Sequence, residues 1–172
     1  LKERDYESQV QLSLRVEDVN SFKLKGLDPF ILPKEYISGK SNINIKLTIF
    51  DEIDQRVEID ADLSQLDLAF KQLGWNKAAG VYGRSHLVAN LKRMKIVDDP
   101  EFSIVAGDWK ANGKILNSGQ NEGSQKIKFE SVTDGRSEFH GALAFTADQI
   151  REVEVFGESI NISNFWDNFL LN

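Results

Sequence analysis

The chain has 172 residues, 41% hydrophobic and 28% charged, with 12 glycines, 3 prolines and no cysteine, the mix of an ordered globular or repeat segment rather than a disordered tail. Twenty-seven acidic against 21 basic residues leave a net charge of −6, which argues against a phosphate-neutralising surface and so against nucleic acid as a partner. The lack of cysteine excludes disulfides, thiolate metal sites and a Cys nucleophile, and no apolar run approaches the roughly 20 residues that span a bilayer as a helix.

Strict alternation dominates the first half. Val10, Leu12, Leu14 and Val16 form one period-two set, Ile43, Ile45, Leu47 and Ile49 a second, and Val57, Ile59, Ala61 and Leu63 a third, each the signature of a strand with one apolar face. The acidic connector 51–54 is of hairpin length, so the second and third strands are expected to pair antiparallel. At Ser64-Gln65 the phase slips by one residue before resuming as Leu66, Leu68 and Phe70, which predicts a bulge or a change of strand direction.

The second half repeats the theme: Leu87, Ala89 and Leu91; Phe102, Ile104 and Ala106; Trp109, Ala111, Gly113 and Ile115; Ile127 and Phe129; Phe139, Gly141, Leu143 and Phe145. Polar clusters at 98–100, 117–123 and 134–135 separate these sets and predict chain reversals, hence a meander of consecutive strands. Helix is scarce, with one or two short turns expected at 28–36, where Pro29 follows an Asp cap, and at 164–171. A faint echo, 22–30 against 155–165, suggests that the piece begins and ends at the same point of a longer module, and a second, Gly83-Arg84-Ser85-His86-Leu87 against Gly135-Arg136-Ser137-Glu138-Phe139, shows a Gly-led turn feeding a strand twice. The fold class read from this pattern is mainly β: an antiparallel, strongly curved, meandering sheet forming an elongated groove. The start at Leu1, with no initiator methionine and no signal-like stretch, reads as a segment excised from a longer protein.

Reactive chemistry finds little support. Ser38-Gly39-Lys40-Ser41 imitates the end of a phosphate loop, but Lys34 stands where its first glycine belongs and an alternating strand follows. His86 and His140 fall in separate strands without a second ligand at metal spacing. The acidic sets Asp51, Glu52, Asp54 and Asp98, Asp99, Glu101 lack the Gly-centred spacing of a calcium loop and read as solvated turns. Asp60 and Asp62 point away from the apolar face, and no Gly-x-Ser-x-Gly elbow is present. Trp75, Trp109 and Trp166 are candidates for stacking sugars, although strand aromatics more often pack in a core. No enzyme, cofactor or metal is expected.

Residues 61–81 carry a more specific pattern, Asp62-Leu63 followed by alternating apolar residues and Leu73-Gly74-Trp75-Asn76-Lys77-Ala78-Ala79-Gly80. This resembles the "L-G-W-x-K-x-x-G" stretch of the AsmA-like family, in particular its YhdP-like branch, with TamB-type envelope proteins as wider relatives. Residues 26–39 look like that family's "G-L-D-x-x-x-L-P" module opening, and 155–170 like its "G-x-x-I-D-I-S-x-F" ending, placing a module opening near 22–39 and a module end near 153–170 of a single segment, 1–172. Ala78 stands where the family often has Pro, and Asn161 where Asp is usual.

The resemblance implies a segment of an envelope protein tethered to the inner membrane by a part of the chain not present here. Its periplasmic sheet would shield phospholipid acyl chains on their way to the outer membrane. The residues expected to face the trough are Ile43, Ile45, Leu47, Ile49, Val57, Ile59, Leu68 and Phe70, extended by Leu87, Leu91, Phe129, Leu143 and Phe145. Hydrophobic burial alone would hold an acyl chain there. Expected partners are acyl chains, adjacent modules of the same chain and, through bare edge strands, a second copy. A structural or protein-interaction β-module without lipid, and a carbohydrate-binding β-sandwich, are the alternatives.

Overall fold

Period-two alternation becomes strand nearly throughout the computed structural model, which describes residues 7–19, 36–70, 75–116, 124–134, 138–146 and 150–159. In chain order the strands are β1 (Ser8–Val16), β2 (Ile37–Gly39), β3 (Ser41–Ile49), β4 (Asp54–Asp62), β5 (Leu66–Phe70), β6 (Trp75–Lys77), β7 (Gly83–Lys92), β8 (Lys95–Ile96), β9 (Glu101–Ala106), β10 (Trp109–Leu116), β11 (Ser124–Thr133), β12 (Glu138–Thr146) and β13 (Ile150–Ser159). Ten of them form one antiparallel sheet in the order β1-β3-β4-β7-β9-β10-β11-β12-β13, with β8 folded back on β7. The sheet does not close into a barrel: β1 and β13 are its two edges. A second sheet has the order β2-β5-β6. The described residues contain no helix, and the two helical turns expected at 28–36 and 164–171 fall almost entirely outside them.

The hairpin between β3 and β4 forms as the connector predicts. Asp51 Oδ1 accepts from the backbone N–H of Ile53 at 2.8 Å and of Asp54 at 2.6 Å, a side chain standing in for a turn carbonyl. Strands β9 to β13 meander as expected. The meander breaks after β4, whose next neighbour in the sheet is β7 rather than β5. The cause sits at the phase slip: Asp62 Oδ1 accepts from Ser64 N–H at 2.9 Å and Leu66 N–H donates to Leu63 O at 3.0 Å. This tight turn lifts the chain off the long sheet, and β5 pairs with β2 and β6 before β7 returns.

Register turns the alternation into two chemically distinct faces. One row runs across nine strands: Leu12, Ile45, Ile59 and Leu87 lie opposite one another in sequence, followed by Phe102, Gly113, Phe129, Gly141 and Val155. Because side chains on a strand alternate, the neighbouring rows on this face hold Ile43, Ala61, Ile104 and Ala111 on one side, and Leu47, Val57 and Ala89 on the other. The opposite face carries charge pairs across the strands, among them Lys46 with Glu58 at 3.7 Å and Lys126 with Glu154 at 3.3 Å.

Curvature has identifiable sources. The β10–β11 register shifts between Asn112 and Gly113, the β11–β12 register between Phe129 and Val132, and the β12–β13 register at two points; such bulges bend a sheet and increase its twist. At Gly113 a Cβ would lie 2.0 Å from Lys128 O, so only glycine permits this approach. The rings of Phe102 and Phe129 close over the gap edge to face, centroids 5.6 Å apart, so aromatic neighbours restore the packing that glycine gives up.

Candidate functional site

The apolar face is built from β-branched and aromatic side chains that the pleat directs to one side. One buried cluster among the described residues lies at the second sheet. Leu63, Leu66, Leu68 and Ala106 are buried together, with Val19, Ile37, Ala61, Trp75 and Ile104 packed against them. Ala61 and Ile104 belong to the apolar face of the long sheet, so the small sheet covers that face locally.

Away from that contact many side chains of the face are half-exposed, although Ala89 is buried among them. Ile43, Ile45, Leu47, Ile49, Val57, Ile59, Leu87 and Phe129, all expected to face the trough, are half-buried on the long sheet. Leu12 and Val155, at the two ends of the row, are 48% and 39% exposed. Leu91 and Leu143 stand on the same face but are buried. Leu91 lies opposite Gln55 and Ile96 in register, and Leu143 opposite Ile127 and Val153. Leu68 is placed differently: it belongs to β5 and is sealed in the small-sheet core, 7% exposed. Phe70 ends the same strand, paired in register with Trp75, and Phe145 pairs with Gln125 and Ile150; the side chains of Phe70 and Phe145 lie outside the described residues.

The described part of the "L-G-W-x-K-x-x-G" stretch, 75–80, lies at the junction of the two sheets. Lys77 is buried, 4% exposed, and its Nζ donates to Leu63 O at 2.7 Å, Leu66 O at 2.9 Å and Ala78 O at 3.2 Å. Burial pushes the ammonium below the usual lysine value, partly offset by the carboxylates of Asp67 and Asp62. A Cβ on Gly83 would stand 2.8 Å from Lys77 Cε and 2.9 Å from Leu63 Cβ, so the lysine stem needs this glycine beneath it. Gly39, at φ +112°, would bring a Cβ within 2.4 Å of Gln65 O. Three chain segments thus converge on the turn after β4, and the lysine adds a charged donor to its carbonyls, Leu63 O accepting from both Leu66 N–H and Lys77 Nζ. The composition gave no sign of this lysine as a buried staple; the available signal was its place two residues after Trp75 in the stretch 73–80.

The polar face holds a shallow cleft of about 310 Å³ lined by Asn42, Asn44, Asp60, Asp62, Tyr82 and Arg84, among others. Arg84 Nη2 donates to Asp60 Oδ1 at 2.7 Å, and His86 Nδ1 lies 3.2 Å from the same oxygen. Burial raises the Asp60 carboxyl, but the hydrogen bonds and charges of Arg84 and His86 outweigh it and hold the group below the usual aspartate value. The other singled-out residues take structural parts. Ser41 begins β3 and its Oγ donates to Asp62 O at 2.9 Å, and His140 stacks on Phe156 with centroids 5.7 Å apart. Asp98 accepts from Asn90 Nδ2 at 2.7 Å. Among the described residues no group of three or more His, Asp or Glu is placed to hold a metal ion, and no helix is long and apolar enough to cross a membrane.

Trp75 and Trp109 are half-buried and pack on each other, centroids 5.4 Å apart, and Trp109 meets Phe139 edge to face at 6.0 Å. Trp166 lies outside the described residues. Comparison with known protein families, with curated proteins and with solved structures finds no match for this chain.

Proposed function

We propose that the apolar face of the long sheet shields phospholipid acyl chains, as a non-enzymatic segment of an AsmA-like envelope protein acting between the inner and outer membranes. The observation that carries this reading is the half-exposed apolar row from Leu12 through Ile45, Ile59 and Leu87 to Phe129 and Val155. Eight strand spacings of about 4.8 Å give the row a contour of about 38 Å. One leaflet's share of a bilayer core is about 15 Å, so a tail has room to lie along the row.

Magnitudes favour carriage over permanent storage. A fully buried methylene contributes about 0.8 kcal/mol. Ten methylenes covered on one side gain about 4 kcal/mol, a millimolar-scale hold that allows release. The opposite face, with its alternating Lys, Arg and Glu, remains in water. The carbohydrate alternative needs a free tryptophan platform, and the mutual packing of Trp75 and Trp109 leaves it without that support.

The experiment is lipid extraction and mass spectrometry of the chain purified from Gram-negative cells without detergent. Phospholipid is expected in the wild-type sample and depleted in an Ile45→Asp, Ile59→Asp double variant that remains folded by circular dichroism. Equal lipid in both samples contradicts the reading.

A further inference from the structure

The two edges of the long sheet differ in the way that decides whether another strand can join them. Edge strands are ordinarily guarded by charge, proline or bulges. β13 carries Arg151, Glu152, Glu154 and Glu158, and its register with β12 shifts twice. β1, Ser-Gln-Val-Gln-Leu-Ser-Leu-Arg-Val, has one charged residue and no proline, and it pairs with β3 through nine consecutive positions without a bulge. Among the described residues no strand lies on its outer side, and Val10 is 55% and Leu12 48% exposed.

We infer that β1 is a self-association edge, pairing antiparallel with β1 of a second copy about a two-fold axis at Leu12. In that register Leu12 meets Leu12 of the second copy, Val10 meets Leu14, Gln11 meets Ser13 and Gln9 meets Arg15. Val10, Leu12 and Leu14 fall on apolar residues, Val16 meets Ser8, and no like charges oppose within β1; just beyond it Glu7 meets Glu17, whose carboxylate Arg15 and Lys40 hold. Arg15 already holds Glu17 at 2.7 Å, which neutralises the one charge on the strand. The same operation on β13 fails: centred anywhere from Val153 to Phe156 it sets glutamate against glutamate, which is destabilising across a strand pair.

Antiparallel partners share a face, so the second copy contributes its own Leu12 row and the apolar face continues across the axis without interruption. The inference stands on the edge itself and does not depend on what occupies the face.

The chain contains no cysteine, so a single introduced thiol reports the register directly. Residues facing each other in an antiparallel pair have Cα atoms about 4.5–5.5 Å apart, within disulfide range. Leu12→Cys is therefore expected to form a covalent dimer under mild oxidation. Ser8→Cys, whose two copies would lie about 27 Å apart in this register, is expected to stay monomeric on denaturing gels, as is Phe156→Cys on the other edge. Sedimentation equilibrium of the unmodified chain is expected to give twice the chain mass, and Leu12→Lys to return it to the monomer with its circular dichroism unchanged. A wild-type chain that sediments as a monomer at all concentrations, or cross-linking of Ser8→Cys as readily as Leu12→Cys, overturns the proposal.

Discussion

Lys77 shows how one side chain sets the path of the chain. Its three carbonyl partners lie on the turn after β4 and on the residue that follows β6, so the ammonium fastens the second sheet to the first. Hydrogen bonds to a charged group contribute about 1.5–3 kcal/mol, and a buried carbonyl left without a donor costs about 1–3 kcal/mol. Lys77→Met, which keeps the stem and removes the donor, is expected to lower unfolding free energy by about 3 kcal/mol in urea titration; a loss below about 1 kcal/mol would mean that water replaces the ammonium.

Asp60 supplies a pH dependence with a defined sign. Its folded-state pKa lies below the ordinary aspartate value because Arg84 and His86 together outweigh its burial. Between the folded and unfolded values the unfolded chain binds more protons, so stability rises with pH there. The contribution is complete above about pH 4 and is lost as pH falls through the lowered folded-state value. Asp60→Asn is therefore expected to flatten the acid limb of a plot of urea midpoint against pH, while an unchanged slope would place the acid sensitivity elsewhere.

At the scale of the elements, the strands themselves were legible because period-two alternation is a local signal. The sets at 43–49 and 57–63 became β3 and β4, and the acidic connector became their hairpin, closed by Asp51. The departure after β4 was only half legible. The slip at Ser64-Gln65 marked the place, but whether the chain bulges or leaves the sheet depends on Lys77, Gly83 and Gly39, which meet there from distant positions in sequence. For the same reason Leu68 was grouped with the long sheet: its alternation is correct, but its strand belongs to another sheet. Pairing of β4 with β7 is likewise set by this non-local junction.

This division into a dry junction and a half-exposed face has an energetic consequence. Leu66, 2% exposed in the junction core, is expected to lose about 2–5 kcal/mol on truncation to alanine. Ile45, half-buried on the open face, is expected to lose about 1 kcal/mol, since less area is withdrawn from water. Equal losses in urea titration would mean that Ile45 is sealed in a core like that around Leu66.

The described residues form an open antiparallel long sheet, with charge on one side and aliphatic and aromatic side chains on the other, and a small second sheet against the apolar side. Exposed apolar patches on folded proteins commonly mark interaction sites. Closure into a barrel would remove both edges; among the described residues β1 and β13 each pair on one side alone. Bulges and the Phe102–Gly113–Phe129 arrangement curl the sheet without closing it.

The most direct measurement places a photo-crosslinking residue at Ile45, at Leu47 and, as a control on the polar face, at Arg84, with irradiation in living Gram-negative cells. Adducts are then identified by mass. Phospholipid adducts at Ile45 and Leu47 and none at Arg84 are the predicted result; an absence of lipid at both apolar positions, in protein that is folded and expressed at wild-type level, would contradict the account.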